Sequence, residues 1–380
     1  MKFLVIGAGM MGSALAFDLA RSKDVSGVTL ADADLNRAKD VAARAGKSVT
    51  PLHLNVEDSG NVLTVLAGHQ CVIGAVSYRY NYSLSRAAIK AGIHFCDLGG
   101  NDEVVQQQRT LDDEARRAGV AIVPNCGLAP GLASILAARG AEPFEQIDTI
   151  HLRVGGLPQH PRPPFRYQLV FSVEGLINEY SGQALVLRNS QPARIDALTE
   201  VEPIVFPPPY GTLEAFHTSG GSSLLPELFK GRVRELDYKT IRYPGHCEQF
   251  KTLLDLGFAT AEPLTMGSNV MTAKELFFEL LKKKLRGDSP DVVLLRVTIT
   301  GTREGRQQTR TFSLIDSFDK NDNITAMMRT TSFPTSIIAQ MLANKMITAR
   351  GVQTPELCVP LQPLLQELRE RGIDIKEEWT

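Results

Sequence analysis

The sequence predicts an α/β fold, in which a doubly wound parallel sheet is followed by a second α+β domain built on a mostly antiparallel sheet. Three observations support this prediction. Residues 1–130 alternate short apolar runs with helical patterns, and such alternation implies parallel strands joined by right-handed crossovers. A glycine-rich turn joins the first apolar run to the first helical pattern. After residue 140 the alternation gives way to longer strand-like runs and proline-rich loops.

The individual elements follow from the spacing of the apolar residues. In the first domain we expect strands at 1–6, 27–32, 48–55, 71–76, 93–98 and 120–124. In the second we expect a strand at 149–154, helices near 172–180, 245–256 and 270–286, and an antiparallel meander formed by 291–302, 306–318 and 323–331. The first domain is predicted to span 1–135 and the second 136–334, with helices in 335–380 packing back on the first.

The glycine-rich turn Gly7-Ala8-Gly9-Met10-Met11-Gly12 lies between a strand and a helix, which is the context that a dinucleotide-binding fingerprint of the Rossmann type requires. Gly7 allows the tight turn, Gly9 lets a pyrophosphate approach the backbone, and Gly12 lets the helix pack against the strand. Met10 and Met11 open the helix, whose free N–H groups face the phosphates. We therefore predict that Gly7, Gly9, Met10, Met11 and Gly12 bind a cofactor.

Further cofactor contacts are expected at the carboxyl ends of the other parallel strands. Asp32 ends the second strand, where its carboxylate can bind a ribose 2′-hydroxyl and repel a 2′-phosphate, so the sequence favours NAD over NADP. Arg37 lies nearby and weakens that preference. The alternative interpretation is a tight turn followed by a surface aspartate. The remaining predicted contacts are Asn55, at the adenine, and Val76, Ser77 and Gly99.

Composition excludes several classes of function. The chain has 380 residues, of which 43% are hydrophobic and 22% charged, with a formal net charge of −1. No basic stripe predicts a nucleic-acid partner, and no apolar run is long enough to predict a membrane span. The five scattered cysteines and the absence of a signal-peptide pattern lead us to expect a cytoplasmic protein without disulfides. No spacing predicts a metal site.

Motifs along nearly the whole chain carry a resemblance to a known family. They are GAGMMG, DLGGN (97–101), PNCGLAPG (124–131), VGGLP (154–158), FSVEGLINEY (171–180), EAFHTSGG (214–221), KTIRYPGH (239–246) and AMMRTTSF (326–333). In this order they resemble the lysine 6-dehydrogenases of the saccharopine dehydrogenase superfamily. The resemblance implies NAD-dependent oxidative deamination of the ε-amino group of L-lysine to a semialdehyde, which cyclises to Δ1-piperideine-6-carboxylate as ammonia is released. It also implies a homodimer or a higher homo-oligomer.

Candidate catalytic residues follow from what this chemistry requires. Asp97, at the end of the fifth strand, could hold the ε-amine and accept its proton, or it could brace the glycine turn that follows. His217 and His246 lie beside glycine-containing turns and suit a general base at neutral pH, although a structural histidine is the alternative for each. Tyr78 could donate to the amine, stack on the cofactor or pack in the core.

Candidate substrate-binding residues must recognise an amino acid. Arg242 and Arg329 are favoured for the α-carboxylate because a guanidinium binds both carboxylate oxygens, with a salt bridge as the alternative for each. Glu174 could pair with the α-ammonium or simply occupy the first turn of a helix capped by Ser172. Thr218, beside His217, completes the predicted substrate site.

Two competing functions remain open from the sequence. A saccharopine-forming or related imine oxidoreductase would bind a second, dicarboxylate partner and would need more cations around its site. A protein that binds NAD without catalysis belongs to a different class. Turnover of lysine would indicate the deaminating dehydrogenase, and turnover of saccharopine the imine oxidoreductase. Turnover of neither amine would indicate the non-catalytic protein.

Overall fold

Two compact units divide the chain in a computed structural model, which describes residues 1–267, 269–287 and 289–380. Unit 1 comprises Met1–Pro143, Ser223–Leu225 and Met328–Ile375. Unit 2 comprises Phe144–Ser222, Pro226–Met327 and Lys376–Thr380. The sequence analysis predicts boundaries after residues 135 and 334.

The strands and helices are numbered here in chain order. The strands are β1 Lys2–Ile6, β2 Gly27–Asp32, β3 Val49–His53, β4 Cys71–Gly74, β5 His94–Asp97, β6 Ala121–Val123, β7 Gln146–Pro158, β8 Gln183–Arg188, β9 Gln191–Asp196, β10 Glu202–Phe206, β11 Gly211–His217, β12 Val233–Arg242, β13 Pro263–Met266, β14 Asn269–Thr272, β15 Asp291–Arg303, β16 Arg306–Ser317, β17 Gly351–Val352 and β18 Lys376–Trp379. The helices are α1 Met10–Arg21, α2 Leu35–Ala45, α3 Ser59–Leu66, α4 Asn81–Ala91, α5 Asp102–Arg109, α6 Asp112–Arg117, α7 Leu132–Gly140, α8 Val173–Glu179, α9 Leu225–Phe229, α10 His246–Asp255, α11 Ala273–Leu285, α12 Ala326–Ala343, α13 Pro355–Cys358 and α14 Leu361–Glu370.

Unit 1 contains a parallel sheet in the order β17-β6-β5-β4-β1-β2-β3. Every neighbouring pair runs parallel, with Phe3 of β1 opposite both Val28 and Cys71. The order reverses beside β1, as in doubly wound dinucleotide-binding folds. Fully buried apolar side chains such as Leu4 and Phe95 belong to its core, as the strands of a parallel sheet require. The predicted parallel fold of the first domain is confirmed.

Unit 2 is built on a mixed sheet in the order β10-β11-β12-β7-β15-β16-β18, with β8 and β9 attached to β12. Within the described residues of this sheet, only β12 and β7 pair in parallel, so the sheet is mostly antiparallel, as predicted. Leu157, Ile241 and Leu294 belong to its buried apolar core.

The predicted strand at 323–331 is wrong, because helix α12 begins at Ala326. The carboxylate of Asp291 accepts hydrogen bonds from the N–H groups of Ala326 (2.7 Å) and Met327 (2.9 Å), which satisfies donors that a helix start leaves open. This tertiary contact outweighs the strand preference of the adjacent threonines. The place beside β16 is taken by the C-terminal strand β18.

Across the described residues, no helix combines the length and the apolarity that crossing a membrane requires.

Candidate active site

The glycine-rich turn of unit 1 has the geometry that a dinucleotide needs. A Cβ on Gly7, whose φ is +108°, would lie 2.5 Å from the carbonyl oxygen of Ala75, and a Cβ on Gly12 would lie 1.7 Å from that of Gly7. Both positions therefore require glycine. A Cβ on Gly9 would meet nothing within 4 Å, so the backbone there is open to a ligand. Helix α1 begins at the next residue, Met10, which places its free N–H groups at this opening.

Asp32 lies at the end of β2 and is tied to the turn. Its Oδ2 accepts a hydrogen bond from the N–H of Ala8 (2.7 Å), and its Oδ1 accepts one from the N–H of Asp34 (2.8 Å). The Arg37 guanidinium lies 4.0 Å from Oδ1. A cofactor ribose at this strand end would thus lie near the carboxylate of Asp32 and the guanidinium of Arg37.

The other predicted cofactor residues occupy the same edge of the sheet. Met11 is half-buried in the first turn of α1. Asn55 is exposed after β3, where its Oδ1 accepts the N–H of Glu57 (3.0 Å). Half-buried Val76 and exposed Ser77 follow β4. These positions fit a pyridine dinucleotide laid across the carboxyl ends of the strands.

Asp97 is fully buried and braces the turn that follows β5. Its Oδ1 accepts hydrogen bonds from the N–H groups of Gly99 (2.8 Å) and Asn125 (3.3 Å), and its Oδ2 accepts one from Gln108 Nε2 (2.7 Å). Burial raises the pKa of this carboxyl to about 6. These contacts favour the bracing interpretation of Asp97. Tyr78 is half-buried, and a Cβ on Gly100 would lie 3.6 Å from its ring.

A second group of candidate residues lies on one face of the sheet in unit 2. Alternate residues of a strand share a face, so Tyr238, Thr240 and Arg242 of β12 point to the same side. Thr218 joins them, with its Oγ1 2.7 Å from that of Thr240. His217 instead pairs in register with Lys239 and so lies on the opposite face from Arg242.

Arg242 is 2% exposed and has no carboxylate partner among the described residues. Its Nε donates to the Tyr180 hydroxyl (2.8 Å) and its Nη1 to the carbonyl oxygen of Ile241 (2.9 Å). The guanidinium also lies 4.8 Å from the centre of the Tyr167 ring. No carboxylate of the described residues forms an ion pair with this buried cation, although the charges of Glu179 and Arg242 interact. The guanidinium is therefore suited to bind an anionic group of a ligand.

His246 holds Tyr180 in place from the start of α10. Its Nδ1 donates to the carbonyl oxygen of Phe165 (3.0 Å), and its Nε2 accepts from the Tyr180 hydroxyl (2.9 Å). Burial and the charge of Arg242 lower the pKa of His246 to about 3. The imidazole is therefore neutral, and these contacts favour the structural interpretation of this histidine.

His217 is also engaged at both ring nitrogens. Its Nε2 lies 3.0 Å from Glu200 Oε2 and its Nδ1 lies 3.2 Å from the carbonyl oxygen of Tyr238. The side chain is fully buried, and burial lowers its pKa. These contacts favour the structural interpretation of this histidine.

Glu179, which the sequence analysis missed, lies beside Arg242. Burial raises the pKa of its carboxyl to about 7, although the charge of Arg242 lowers it. The predicted residue, Glu174, is exposed in the first turn of α8 and lies 3.6 Å from Lys282 Nζ. Five helical residues correspond to a rotation of about 140°, so the two glutamates point to different sides of α8. The sequence Glu179-Tyr180 at the end of α8 matches no motif that would have predicted a position beside Arg242.

Arg329 makes its described contacts within unit 1. It lies in α12, within unit 1, where its Nη2 donates to the carbonyl oxygens of Gly372 (3.1 Å) and Arg371 (3.3 Å). These carbonyls end helix α14, so the guanidinium stabilises a helix terminus. The sequence favoured Arg329 as a carboxylate ligand because the run around it resembled a strand.

Within the described residues, no group of three or more His, Cys, Asp or Glu side chains is placed to hold a metal ion.

Two family profiles match the sequence on either side of residue 125. Residues 3–123 match the saccharopine dehydrogenase NADP binding domain, and residues 127–373 match the saccharopine dehydrogenase C-terminal domain. The chain belongs to the saccharopine dehydrogenase family. The chain is thus an oxidoreductase of the amino acid dehydrogenase type, and the open glycine turn of unit 1 belongs to the family's pyridine nucleotide-binding domain.

Relatives in the saccharopine dehydrogenase family match along the whole chain. Saccharopine dehydrogenase (NADP(+), L-glutamate-forming) of Schizosaccharomyces pombe is 21% identical over 99% of this chain and 98% of its own length. The solved saccharopine dehydrogenase (L-Glu forming) of Saccharomyces cerevisiae has a TM-score of 0.82 at 19% identity, covering 100% of this chain and 99% of that chain. A homospermidine synthase of Legionella pneumophila in complex with NAD has a TM-score of 0.71 at 14% identity, covering 100% and 91%. The two structures show that the fold is shared.

Proposed function

We propose that this protein oxidises the ε-amino group of L-lysine with NAD. The products are NADH, ammonium and 2-aminoadipate 6-semialdehyde, and the semialdehyde cyclises to Δ1-piperideine-6-carboxylate. The observation that carries the proposal is the buried guanidinium of Arg242, which has no carboxylate partner among the described residues. An amino acid substrate supplies that missing anion through its α-carboxylate.

Glu179 and Arg242 together suit the head group of an amino acid. The guanidinium binds the α-carboxylate, and the adjacent Glu179 carboxylate pairs with the α-ammonium, the role first assigned to Glu174. The Tyr180 hydroxyl, oriented by His246, fixes the guanidinium through Nε, and the carbonyl oxygen of Ile241 accepts from Nη1, so Nη2 is the nitrogen left for a ligand. Two hydrogen bonds therefore link Arg242 to Tyr180 and Tyr180 to His246. They hold the guanidinium in place while Tyr180 and His246 stay neutral.

The reaction removes a hydride from Cε and a proton from the ε-ammonium, since a cation does not readily release hydride. A bound nicotinamide would accept the hydride, the proton of the ε-ammonium would pass to solvent, and water would add to the resulting iminium to release ammonium. Asp97, enclosed by three donors, positions the backbone of Gly99 and Asn125 at the end of β5 and β6.

The rival saccharopine-forming activity, which the names of relatives suggest, would require additional cations for a second dicarboxylate. The other buried cations described in unit 2 have carboxylate partners. They are Arg153 with Asp237 and Glu202, Lys239 with Glu202, and Arg310 with Glu377. A single unpaired buried cation supports a substrate with one carboxylate, such as lysine.

NAD is proposed as the oxidant because Asp32 would repel the 2′-phosphate of NADP. The nearby Arg37 is the feature that favours NADP. We further propose a cytoplasmic homo-oligomer, a homodimer or larger, without a nucleic-acid partner.

The test is reduction of NAD and of NADP with lysine, ornithine, saccharopine and glutamate, with ammonia and free glutamate measured in the same reactions. Reduced cofactor and ammonia in equal amounts with lysine would establish ε-deamination. Reduced cofactor with saccharopine alone, accompanied by glutamate, would replace the proposal by the saccharopine activity. Binding of the cofactor without turnover of any amine would favour the non-catalytic alternative.

A further inference from the structure

The chain has three tyrosines shortly after β4, and the structure gives two of them a place in the fold. Tyr80 and Tyr82 pack against the buried core of unit 1, and the Tyr80 hydroxyl donates to Glu57 Oε1 (2.8 Å). Tyr78 is not one of the side chains described on that core, and its hydroxyl has no hydrogen-bond partner among the described residues. A tyrosine that serves only the fold normally has such contacts, so Tyr78 is the one of the three that is suited to a ligand.

The surroundings of Tyr78 are open to solvent. Tyr78 itself is half-buried, while Ser77 before it and Gly100 in the turn after β5 are exposed. A Cβ on Gly100, whose φ is +115°, would lie 3.6 Å from ring atom Cδ1 of Tyr78. The ring therefore lies beside the glycine turn at the ends of β4 and β5, where a ligand can reach it.

This opening lies on the side of the sheet where the nicotinamide half of a dinucleotide belongs. In the sheet order β5-β4-β1-β2, Asp32 at the end of β2 marks the adenosine side, and the glycine turn after β1 marks the pyrophosphate. The remaining half then extends past β4 and β5. The glycine turn adjoins the end of β4, because a Cβ on Gly7 would lie 3.1 Å from Val76 Cγ1, and Tyr78 follows two residues later.

We propose that the Tyr78 ring packs against the nicotinamide ring and favours its oxidised form. The inference rests on the proposed use of a nicotinamide dinucleotide. The pyridinium ring of NAD carries a positive charge, which the face of an aromatic ring attracts, whereas the dihydropyridine ring of NADH is neutral. Of the roles considered for Tyr78, this assignment selects stacking on the cofactor over donation to the amine and packing in the core. The same contact eases release of the reduced product.

The test compares equilibrium binding of NAD, NADH and ADP-ribose to the whole chain without any amine present. NAD has the charged ring, NADH has the neutral ring, and ADP-ribose has neither. Tyr78→Leu removes the aromatic face, and Tyr78→Phe keeps the face but removes the hydroxyl. The matched control is Tyr82→Leu, which removes a neighbouring half-buried ring that packs on the core.

We expect Tyr78→Leu to weaken NAD binding about threefold more than NADH binding, which is the typical strength of one cation–π contact at a partly exposed site. ADP-ribose should bind as it does to the native protein. Tyr78→Phe and Tyr82→Leu should keep the native ratio of the NAD and NADH dissociation constants. Tyr78→Met also removes the aromatic face and gives the same readout if Tyr78→Leu does not fold.

A native ratio of the NAD and NADH dissociation constants in Tyr78→Leu and Tyr78→Met would overturn the inference. So would an equal loss of affinity for all three ligands, because the ring would then only support the fold of the site. If the native ratio were accompanied by a lower kcat for lysine in Tyr78→Phe, the hydroxyl would serve the amine instead. Since no amine enters the binding assay, the ring contact can hold even if lysine is not oxidised, and lysine can be oxidised even if the contact is absent.

Discussion

The two glutamates of helix α8, Glu174 and Glu179, show what decides the role of a single residue. They belong to the same motif, yet Glu174 is exposed beside Lys282 while Glu179 lies beside the buried Arg242. The difference is a rotation around one short helix. The sequence identified the residue types that the chemistry requires, and the helix bounds decided which glutamate meets the arginine.

The substitution Glu179→Gln should raise the KM for lysine about tenfold or more, with little effect on NAD affinity, because the α-ammonium loses its anionic partner. Glu174→Gln is the matched control and should behave as the native protein. Steady-state kinetics of the two variants check this assignment. Equal KM values in Glu179→Gln and in the native protein would contradict it.

The same residue predicts a pH dependence of stability. The pKa of Glu179 is raised to about 7 in the folded protein, so the folded state binds a proton more tightly than the unfolded chain does. Stability from this group is therefore present below its unfolded pKa and is lost as the pH rises through about 7. Between pH 5 and pH 8, Tm should fall less in Glu179→Gln than in Glu174→Gln. Parallel Tm curves in the two variants would be the contrary result.

Asp32→Ala should weaken NAD binding and reduce the discrimination against NADP, because the carboxylate that binds a ribose hydroxyl and repels a phosphate is removed. Asp34→Asn, which keeps an acceptor for the start of α2, is the control. Kd values for both dinucleotides test the prediction, and unchanged values in Asp32→Ala would refute the ribose role.

At the scale of elements, strands such as β1, β4 and β6 were predictable because each is a short apolar run. The glycine turn was predictable for a related reason, since Gly7 and Gly12 are required by close backbone contacts. The strand expected at 323–331 failed because helix α12 depends on Asp291, a residue distant in the sequence. The direction in which Glu179, His217 and Arg242 point depends on helix bounds, strand register and packing. Patterns in a single sequence do not specify these features.

Helix α10 depends on a carboxylate in a neighbouring strand. Glu214 of β11 accepts the N–H groups of Gly245 (2.8 Å) and Cys247 (2.7 Å), which places His246 at the first position of the helix. Glu214→Ala should therefore destabilise the protein by about 1–3 kcal/mol, because donors at the helix start lose their acceptor. Thr272→Ala, which removes the half-buried N-cap of α11, should cost about 1 kcal/mol. Denaturant unfolding compares the two, and a smaller loss for Glu214→Ala would contradict the proposed support.

At the scale of the whole molecule, the proposed reaction predicts how turnover depends on pH. Only the neutral ε-amine can release a hydride, and its pKa in water is about 10.4. The value of kcat/KM for lysine should therefore rise with pH across the neutral range, about tenfold per unit where this ionisation alone controls the rate. A profile that is flat from pH 7 to 9 would show that the enzyme binds the ammonium form and removes its proton itself.

The path of the chain between the units has a practical consequence for protein engineering. Unit 1 is completed by residues 328–375, and the last strand of unit 2, β18, comes after them. No single cut in the gene therefore yields either unit intact. Removing the last five residues would also strip β18 from β16 and separate Trp379 from Phe144, whose ring lies 5.5 Å away. The exposed backbone of β16 would then be free to recruit strands from other molecules, so shortening the carboxyl terminus invites aggregation.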